Sequence, residues 1–190
     1  MSGSHIEQGL DELAAVVHAS KVLSGQVAEI AGRYAKVLRE GGTLFFCGNG
    51  GSAADAQHLA AEYIVRYAGE RRPLAAVALT TDASVLTAGG NDLGFELIFA
   101  RQIEALCGPG DLLILHSTSG QSQNLIAAAK SARQLGIPIV AFLGKGGGAL
   151  ASLVDEAVIV PSARTSQVQL MHMALQHLIV ESVERELFGS

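Results

Sequence analysis

Apolar and polar positions change their spacing several times along the chain. Between residues 6 and 40, apolar side chains recur every three or four residues, which predicts two amphipathic helices with a break near Ser20 or Ser24. The pair Gly41-Gly42 ends the second helix. Five short, continuous apolar runs follow, and each is typical of a buried strand. They cover residues 43–47, 75–79, 111–115, 138–142 and 157–160.

Helical spacing returns between and after these runs. It predicts helices at residues 53–66, 82–88, 94–106, 122–135 and 165–187, with a short helix after the glycines at 144–148. Strands that alternate with helices predict an α/β fold, a five-stranded parallel sheet flanked by helices on both faces. We expect one domain over residues 1–190, with N-terminal helices to about residue 40 and the α/β core from about 41 to 190. Ligands of such sheets bind beyond the carboxyl ends of the strands.

Composition and charge narrow the possible partners. Hydrophobic residues make up 49% of the 190 residues and charged residues 16%, so we expect other subunits to cover some helix faces. The net charge is −5 and the thirteen basic residues are scattered, which argues against nucleic-acid binding. Cys47 and Cys107 lie in apolar surroundings, as expected of buried free thiols in a reducing compartment. We find no membrane-spanning run and no signal peptide, and expect a cytoplasmic protein.

A serine-rich loop follows the third strand. Hydroxyl side chains occupy four of its six positions, Ser117, Thr118, Ser119 and Ser122. Backbone amides of such a turn, together with the positive end of the next helix, favour an anion. A nucleotide P-loop is excluded because no Gly-Lys-Ser/Thr is present. The alternative is an ordinary helix N-cap, but four hydroxyls exceed what a cap needs, so we predict a phosphate site.

A second glycine turn follows the first strand, with the residues Asn49, Gly50, Gly51 and Ser52. Glycines allow a ligand to approach the backbone closely. The spacing does not fit the dinucleotide fingerprint, so this turn is a weak signal by itself.

Two helices carry candidate catalytic groups. His58 and Glu62 share one face of the helix after the glycine turn, at i, i+4 spacing. A helix salt bridge is the simpler interpretation, but the face also suits a divalent metal or a carboxylate base oriented by an imidazole. The last helix adds Gln169 and His177, about 12 Å apart in helix rise. Two histidines, one glutamate and one glutamine are an allowed zinc ligand set.

Taken in order, these motifs resemble a known family. His58-x-x-x-Glu62, Arg66-Tyr67, Gly90-Asn91-Asp92, the serine loop and Gln169-x-x-His172-x-x-x-x-His177 are similar to the phosphoheptose isomerases of the sugar isomerase (SIS) domain superfamily. The resemblance covers nearly the whole chain. The serine loop alone indicates only the superfamily, whereas His58, Glu62, Gln169 and His177 together are far more specific.

The resemblance implies a flavodoxin-like SIS fold, N-terminal helices used for oligomerisation and a homotetramer. It implies one Zn²⁺ per subunit, held by His58, Glu62, Gln169 and His177. The implied reaction converts sedoheptulose 7-phosphate, a small-molecule sugar phosphate, to D-glycero-D-manno-heptose 7-phosphate for activated-heptose synthesis. The implied substrate contacts are Asn49, Gly50, Gly51, Ser52, Arg66, Asn91, Asp92, Ser117, Thr118, Ser119, Ser122 and Gln169.

The chemistry of a ketose–aldose exchange passes through an enediol. Glu62 suits the base that removes a proton from carbon, and His177 suits the acid. Two alternatives remain open, a non-catalytic SIS-domain protein of the replication-initiator-associating type and a sugar-phosphate sensor. The presence of both Glu62 and His177 favours the enzyme over the first.

Three positions depart from the family pattern. Leu170 stands where a glutamate is usual, Arg164 lies in a segment that is usually acidic, and His116 precedes the serine loop where a small or apolar residue is common. We expect His116 to be partly buried and bonded to the backbone. These departures bear on substrate preference more than on the reaction class.

Overall fold

The structure is a computed structural model that describes residues 3–189. Two helices begin the chain, α1 (Gly3–Ala19) and α2 (Ser24–Arg39), joined by a 3₁₀ turn at Ser20–Leu23. The strands are β1 (Leu44–Gly48), β2 (Ala76–Ala78), β3 (Leu112–Ser117), β4 (Ile139–Leu143) and β5 (Glu156–Ile159). The remaining helices are α3 (Gly51–Ile64), α4 (Ala83–Asp92), α5 (Ile98–Leu106), α6 (Gln123–Gln134) and α7 (Thr165–Phe188), with 3₁₀ turns at Phe95–Leu97 and Ala149–Ser152.

The five strands form one parallel sheet in the order β2-β1-β3-β4-β5. Leu44 of β1 pairs with Ala76 on one side and with Leu112 on the other. The chain therefore leaves β1 towards one edge and β3 towards the opposite edge, which makes the gap between them the topological switch point. Ligands of open α/β sheets bind there, beyond the carboxyl ends of the strands.

Helices pack on both faces of the sheet, and each face has its own apolar core. The larger core joins α2, α3 and α7 to one face, with Tyr34, Tyr63, Phe46 and Phe142 fully buried. The other core joins α5 and α6 to the opposite face around residues such as Phe99. The predicted α/β fold with helices on both faces is thus confirmed.

Local chemistry explains where two helices begin and end. Asp82 caps α4, since its Oδ1 accepts a hydrogen bond from Val85 N at 2.9 Å. Gly189 ends α7 with φ 73°, the left-handed conformation that glycine adopts without strain. Between residues 3 and 189 no helix combines the length and the apolar character that a membrane crossing requires.

Neither cysteine forms a disulfide. Cys47 is buried as expected, whereas Cys107 is only partly buried, so the prediction of two buried thiols is half correct. Burial, aided by Asp111, raises the pKa of Cys107 to about 12. Burial likewise raises the pKa of Cys47, and both side chains therefore stay protonated thiols at neutral pH.

Candidate functional site

Two loops meet at the switch point of the sheet. β1 ends at Gly48, which pairs with His116 near the end of β3, so the glycine turn and the serine loop leave adjacent strands side by side. The amides of Asn49 and Asn124 exchange two hydrogen bonds, at 2.9 and 2.8 Å. This reciprocal pair ties the glycine turn to the first turn of α6.

The two loops and the start of α7 enclose a polar cavity of about 320 Å³. Its walls combine hydroxyls, amides and glycine backbone, all neutral groups that suit a phosphate ester. The lining residues are Asn49, Gly51, Ser52, His116, Ser117, Thr118, Ser119, Ser122, Thr165 and Gln169. Eight of the twelve predicted substrate contacts are therefore brought together in one cavity.

The serine hydroxyls do not cap the helix that follows the loop. Ser122 is the residue before α6, yet its side chain makes no capping hydrogen bond. Ser117 Oγ accepts Gly120 N at 3.0 Å and Ser119 Oγ accepts Gln121 N at 3.2 Å, which holds the loop closed. The N-cap alternative is therefore not what this loop shows, because the residue in the capping position does not cap.

The glycine run after β4 packs directly on the serine loop. A Cβ atom on Gly120 (φ 64°) would lie 1.9 Å from Gly147 O, and one on Gly148 would lie 2.6 Å from Ser119 O. Leu150 N also donates to Gly120 O at 3.0 Å. Sequence analysis noted this glycine run but missed its contact with the serine loop, because 27 positions separate Gly120 from Gly147.

A cluster of three titratable side chains lies where α3 packs against α7. His58 Nε2 is 3.1 Å from Glu62 Oε1 and 3.1 Å from His177 Nε2. The three ligand atoms lie within 4.8 Å of one another. The side chain of His58 is half exposed, and Glu62 and His177 are partly buried. The i, i+4 pair is thus part of a larger cluster, rather than only a salt bridge within one helix.

The donor set of this cluster fits a metal ion. Zinc binds imidazole nitrogen and carboxylate oxygen at about 2.0–2.2 Å, so two of its ligand atoms lie a little over 3 Å apart. Both separations from His58 Nε2 match that spacing. The fourth predicted ligand, Gln169, places its amide beside Gly51, where an added Cβ would lie 2.3 Å from Gln169 Nε2.

Four predicted substrate contacts do not line the cavity. Gly50 is exposed, and Arg66 is exposed and lies 3.6 Å from Glu70. Asn91 and Asp92 end helix α4, where the Asn91 amide donates to the Asp92 carboxylate at 2.6 Å. Their role in substrate binding stays a prediction.

Two further side chains belong to the site, although sequence analysis missed their roles. The ring of Tyr67 stacks on His177, with ring centroids 5.4 Å apart. Asp55 lies one helical turn before His58, and its buried Oδ2 has no hydrogen-bond partner. Burial raises the pKa of Asp55 and the nearby His58 opposes that rise. The Arg66-Tyr67 pair was visible as a motif, but the stacking depends on the fold of the loop after α3.

His116 differs from its expected environment. It is fully buried, and its Nε2 lies 3.1 Å from the side-chain amide of Gln176. The prediction of a bond to the backbone is therefore wrong. Burial lowers the pKa of His116 to about 3, so the ring is neutral at physiological pH. Phe142 of the neighbouring strand β4 lies beside the ring, and the His116 side chain has no surface exposed to the water that a charged imidazole needs.

Comparison with known proteins identifies the family of the chain. Residues 10–144 match the SIS domain family. A phosphoheptose isomerase from Aquifex aeolicus is 52% identical over 159 residues, which cover 84% of this chain and 83% of that protein.

Two solved structures are also similar over their whole length. A phosphoheptose isomerase from Neisseria gonorrhoeae has a TM-score of 0.90 at 38% identity, covering 95% of this chain and 97% of that chain. One from Francisella tularensis has a TM-score of 0.94 at 32% identity, covering 97% and 100%.

Proposed function

The chain belongs to the phosphoheptose isomerases of the SIS domain family, and we infer that it isomerises sedoheptulose 7-phosphate to D-glycero-D-manno-heptose 7-phosphate for heptose biosynthesis. One observation supports the assignment of roles to individual residues. A neutral, hydroxyl-lined cavity for the phosphate lies at one end of helices α3 and α7, and an acid–base cluster lies further along the same two helices.

The distance between these two parts suits a long sugar chain. Gly51 at the cavity and His58 in the cluster are seven residues apart on α3, about 10 Å of helix rise. An open-chain heptose phosphate has a comparable length between its phosphorus and its carbonyl carbon. Fixing the phosphate end therefore brings the reacting carbons to the cluster and makes the proton transfer effectively intramolecular.

We assign the proton transfers to Glu62 and His177. The carboxylate of Glu62 removes a proton from C1 of the ketose, while a proton from His177 reaches the C2 oxygen and the enediol forms. The return of a proton to C2, with loss of the C1 hydroxyl proton, then gives the aldose. Each transfer is general acid–base catalysis, for which a positioned carboxylate and imidazole are suitable groups.

The same cluster would hold a divalent metal, for which we propose zinc. His58, Glu62 and His177 supply three ligands of the right kind and spacing. Gln169 is proposed as the fourth, for which its amide would have to move from its place beside Gly51 in the polar cavity towards the cluster. When bound, such an ion would supply Lewis acidity that favours negative charge on the substrate oxygens. Tyr67, stacked on His177, holds the imidazole in place. The ring nitrogen that binds the ion has no proton to give, so the acid role is proposed for the other ring nitrogen of His177.

The polar cavity is proposed to bind the phosphate through Ser52, Ser117, Thr118, Ser119 and Ser122. The first turn of α6 follows this loop, so backbone dipoles add to the hydroxyl donors. The proposed contacts to the sugar hydroxyls are Asn49, Gly50, Gly51, Arg66, Asn91, Asp92 and Gln169.

We further propose a cytoplasmic homotetramer built from one domain per chain. Unpaired cysteines are consistent with a reducing compartment. The apolar faces of α1 and α7 are consistent with contacts between subunits.

Carbon NMR of sedoheptulose 7-phosphate with the purified protein and added Zn²⁺ tests the reaction. We expect an aldose signal from the wild type, and a loss of at least a hundredfold in rate for Glu62→Gln and for His177→Ala. Glu29→Gln, an exposed change on α2, is the matched control and should retain full activity. No aldose product from the wild type would refute the function, and unchanged rates in both site variants would refute the roles of Glu62 and His177.

A further inference from the structure

A buried ion pair links the end of α3 to α7. Arg71 Nε donates to Glu184 Oε1 at 2.7 Å, and the two side chains are only 1% and 4% exposed. Removing two charges from water costs several kcal/mol per ion, and well-packed apolar residues often replace such a pair without loss of stability. Stability alone therefore does not account for this buried pair.

Both side chains use nearly all of their hydrogen-bonding capacity on each other, on the end of α3 and on the turn that follows it. Glu184 accepts the backbone N–H groups of Tyr67, Ala68 and Gly69 at 3.0–3.1 Å. Burial raises the pKa of Glu184, but these three donors and Arg71 outweigh it, so the pKa lies below its usual range. The carboxylate is therefore charged and fixes the turn that follows α3.

Arg71 in turn holds the last turn of α3. Its Nη2 donates to the carbonyl oxygen of Glu62 at 2.6 Å, and its Nη1 donates to that of Tyr63 at 2.8 Å. The last carbonyls of a helix lack partners within the helix and attract cations. Arg71 thus satisfies the backbone of the residue to which we give the role of base.

Glu184 lies seven residues after His177 on α7, two turns further along nearly the same face. Tyr67, which donates its N–H to Glu184, also stacks its ring on His177. The ion pair therefore contacts the backbone of Glu62 on α3 through Arg71. Through Glu184 it also contacts Tyr67, whose ring stacks on His177 of α7.

We propose that Arg71 and Glu184 are positioning residues that set the separation between Glu62 and His177. The inference rests on the proposed function, because it concerns the same acid–base and metal cluster. Neither side chain touches the substrate cavity. Substituting either residue should therefore lower kcat and the affinity for the metal, while binding of the phosphate end stays nearly unchanged.

The test compares Arg71→Lys with Glu186→Gln. Lysine keeps the charge but cannot reach Glu184 and two carbonyls at once, since it lacks the planar fork of arginine. Glu186 forms an exposed pair with Arg39 between α7 and α2, at 2.6 Å, so Glu186→Gln breaks a helix-to-helix ion pair that lies outside the cluster. The readouts are kcat, KM and the Zn²⁺ affinity measured against a chromophoric chelator.

For Arg71→Lys we expect kcat and Zn²⁺ affinity to fall ten- to a hundredfold, the usual effect of losing a residue that supports metal ligands, while KM changes less than threefold. Glu186→Gln should match the wild type in all three. A folded Arg71→Lys with normal kcat and normal Zn²⁺ affinity would overturn the proposal and leave the pair a stability element.

A second variant covers the case in which Arg71→Lys does not fold. Arg71→Met/Glu184→Met removes both charges and leaves neither unpaired. The same losses of kcat and Zn²⁺ affinity are expected, and normal values would again overturn the proposal. Zn²⁺ affinity is measured without substrate, so a wild type that binds Zn²⁺ but forms no aldose would refute the function and still leave the positioning role open to this test.

Discussion

At the scale of single residues, two glycines shape the polar cavity. Gly51 lies against the amide of Gln169, and Gly120 lies against the backbone of Gly147, where an added Cβ would be 1.9 Å from the carbonyl oxygen. The second contact is to backbone, which cannot move aside as a flexible side chain can. The serine loop therefore depends on a residue without Cβ at its turn.

Gly120→Ala is expected to raise KM at least tenfold and to lower the stability of the protein. The added methyl must displace the glycine run after β4, and the left-handed φ of 64° adds strain of about 1 kcal/mol. Steady-state kinetics and thermal unfolding measure the two effects. Gly136→Ala is the matched control, because it has a similar φ of 71° but no atom within 4 Å of the added Cβ. An equal rise in KM in both variants would contradict the clash as the cause.

Local spacing in the sequence predicted some of the residues that the fold brings together. His58 and Glu62 share a helix face at i, i+4, and the serines cluster within six positions. Tyr67 and Asp55 were missed because a stacking contact and a buried, unpartnered carboxylate oxygen depend on how α3 meets the rest of the fold. The contact between Gln176 and His116 was missed because 60 positions separate the two residues.

At the scale of secondary-structure elements, strand β3 and helix α7 bury a layer of polar side chains between them. His116, His172 and Gln176 have no exposed surface. His172 Nε2 lies 3.2 Å from Leu143 O, and the rings of the two histidines are 5.9 Å apart. Burial lowers the pKa of His116 to about 3 and that of His172 to about 4, so both rings are neutral in the folded protein.

Stability should therefore fall when the pH drops below about 6.5. An unfolded histidine takes up a proton near pH 6.5, whereas these two take one up only near their lowered pKa values in the folded chain. The stability they contribute is full above pH 6.5 and is lost as the pH falls. Each should cost about 2 kcal/mol of the free energy of unfolding between pH 7.5 and pH 5.

Urea unfolding at pH 7.5, 6 and 5 measures this dependence. His116→Leu should remove roughly half of the loss between pH 7.5 and 5, because one of the two buried imidazoles is gone. His18→Gln, an exposed change on α1, should keep the full loss. An identical pH slope in the wild type and His116→Leu would show that His116 is not the source.

The elements themselves were predictable because each has a strong local signal. All five apolar runs became strands, and β3 extends past residue 115 to include His116 and Ser117. The extension has a physical reason, since His116 and Ser117 pair with Phe142 and Leu143 of β4, a partner that the local pattern does not reveal. Helix α4 likewise extends beyond residue 88 to Asp92. Its last residues are glycine or polar, so hydrophobic periodicity does not predict them as helix.

At the scale of the whole molecule, helices α1 and α7 expose several large apolar side chains. Helix α1 has no buried residue among those described, and Leu10, Val17 and Leu178 are 61%, 47% and 55% exposed. Between α1, α2 and α7 lies a groove of about 350 Å³ whose lining includes Val17, Val27, Met171, Leu175 and Leu178. Continuous apolar surface of this kind marks an interface between proteins.

Leu178→Glu is expected to break the proposed homotetramer into smaller species. The leucine lies on α7 and lines the groove, and a carboxylate buried there by a second copy would lose its hydration without gaining a partner. Sedimentation velocity should show four times the mass of one chain for the wild type and a lower mass for the variant. Leu135→Glu is the matched control, because Leu135 is 45% exposed at the end of α6, away from the groove, and it should sediment like the wild type. A wild type that sediments as a stable monomer would contradict the assembly, and a tetrameric Leu178→Glu would place the interface on another face of the molecule.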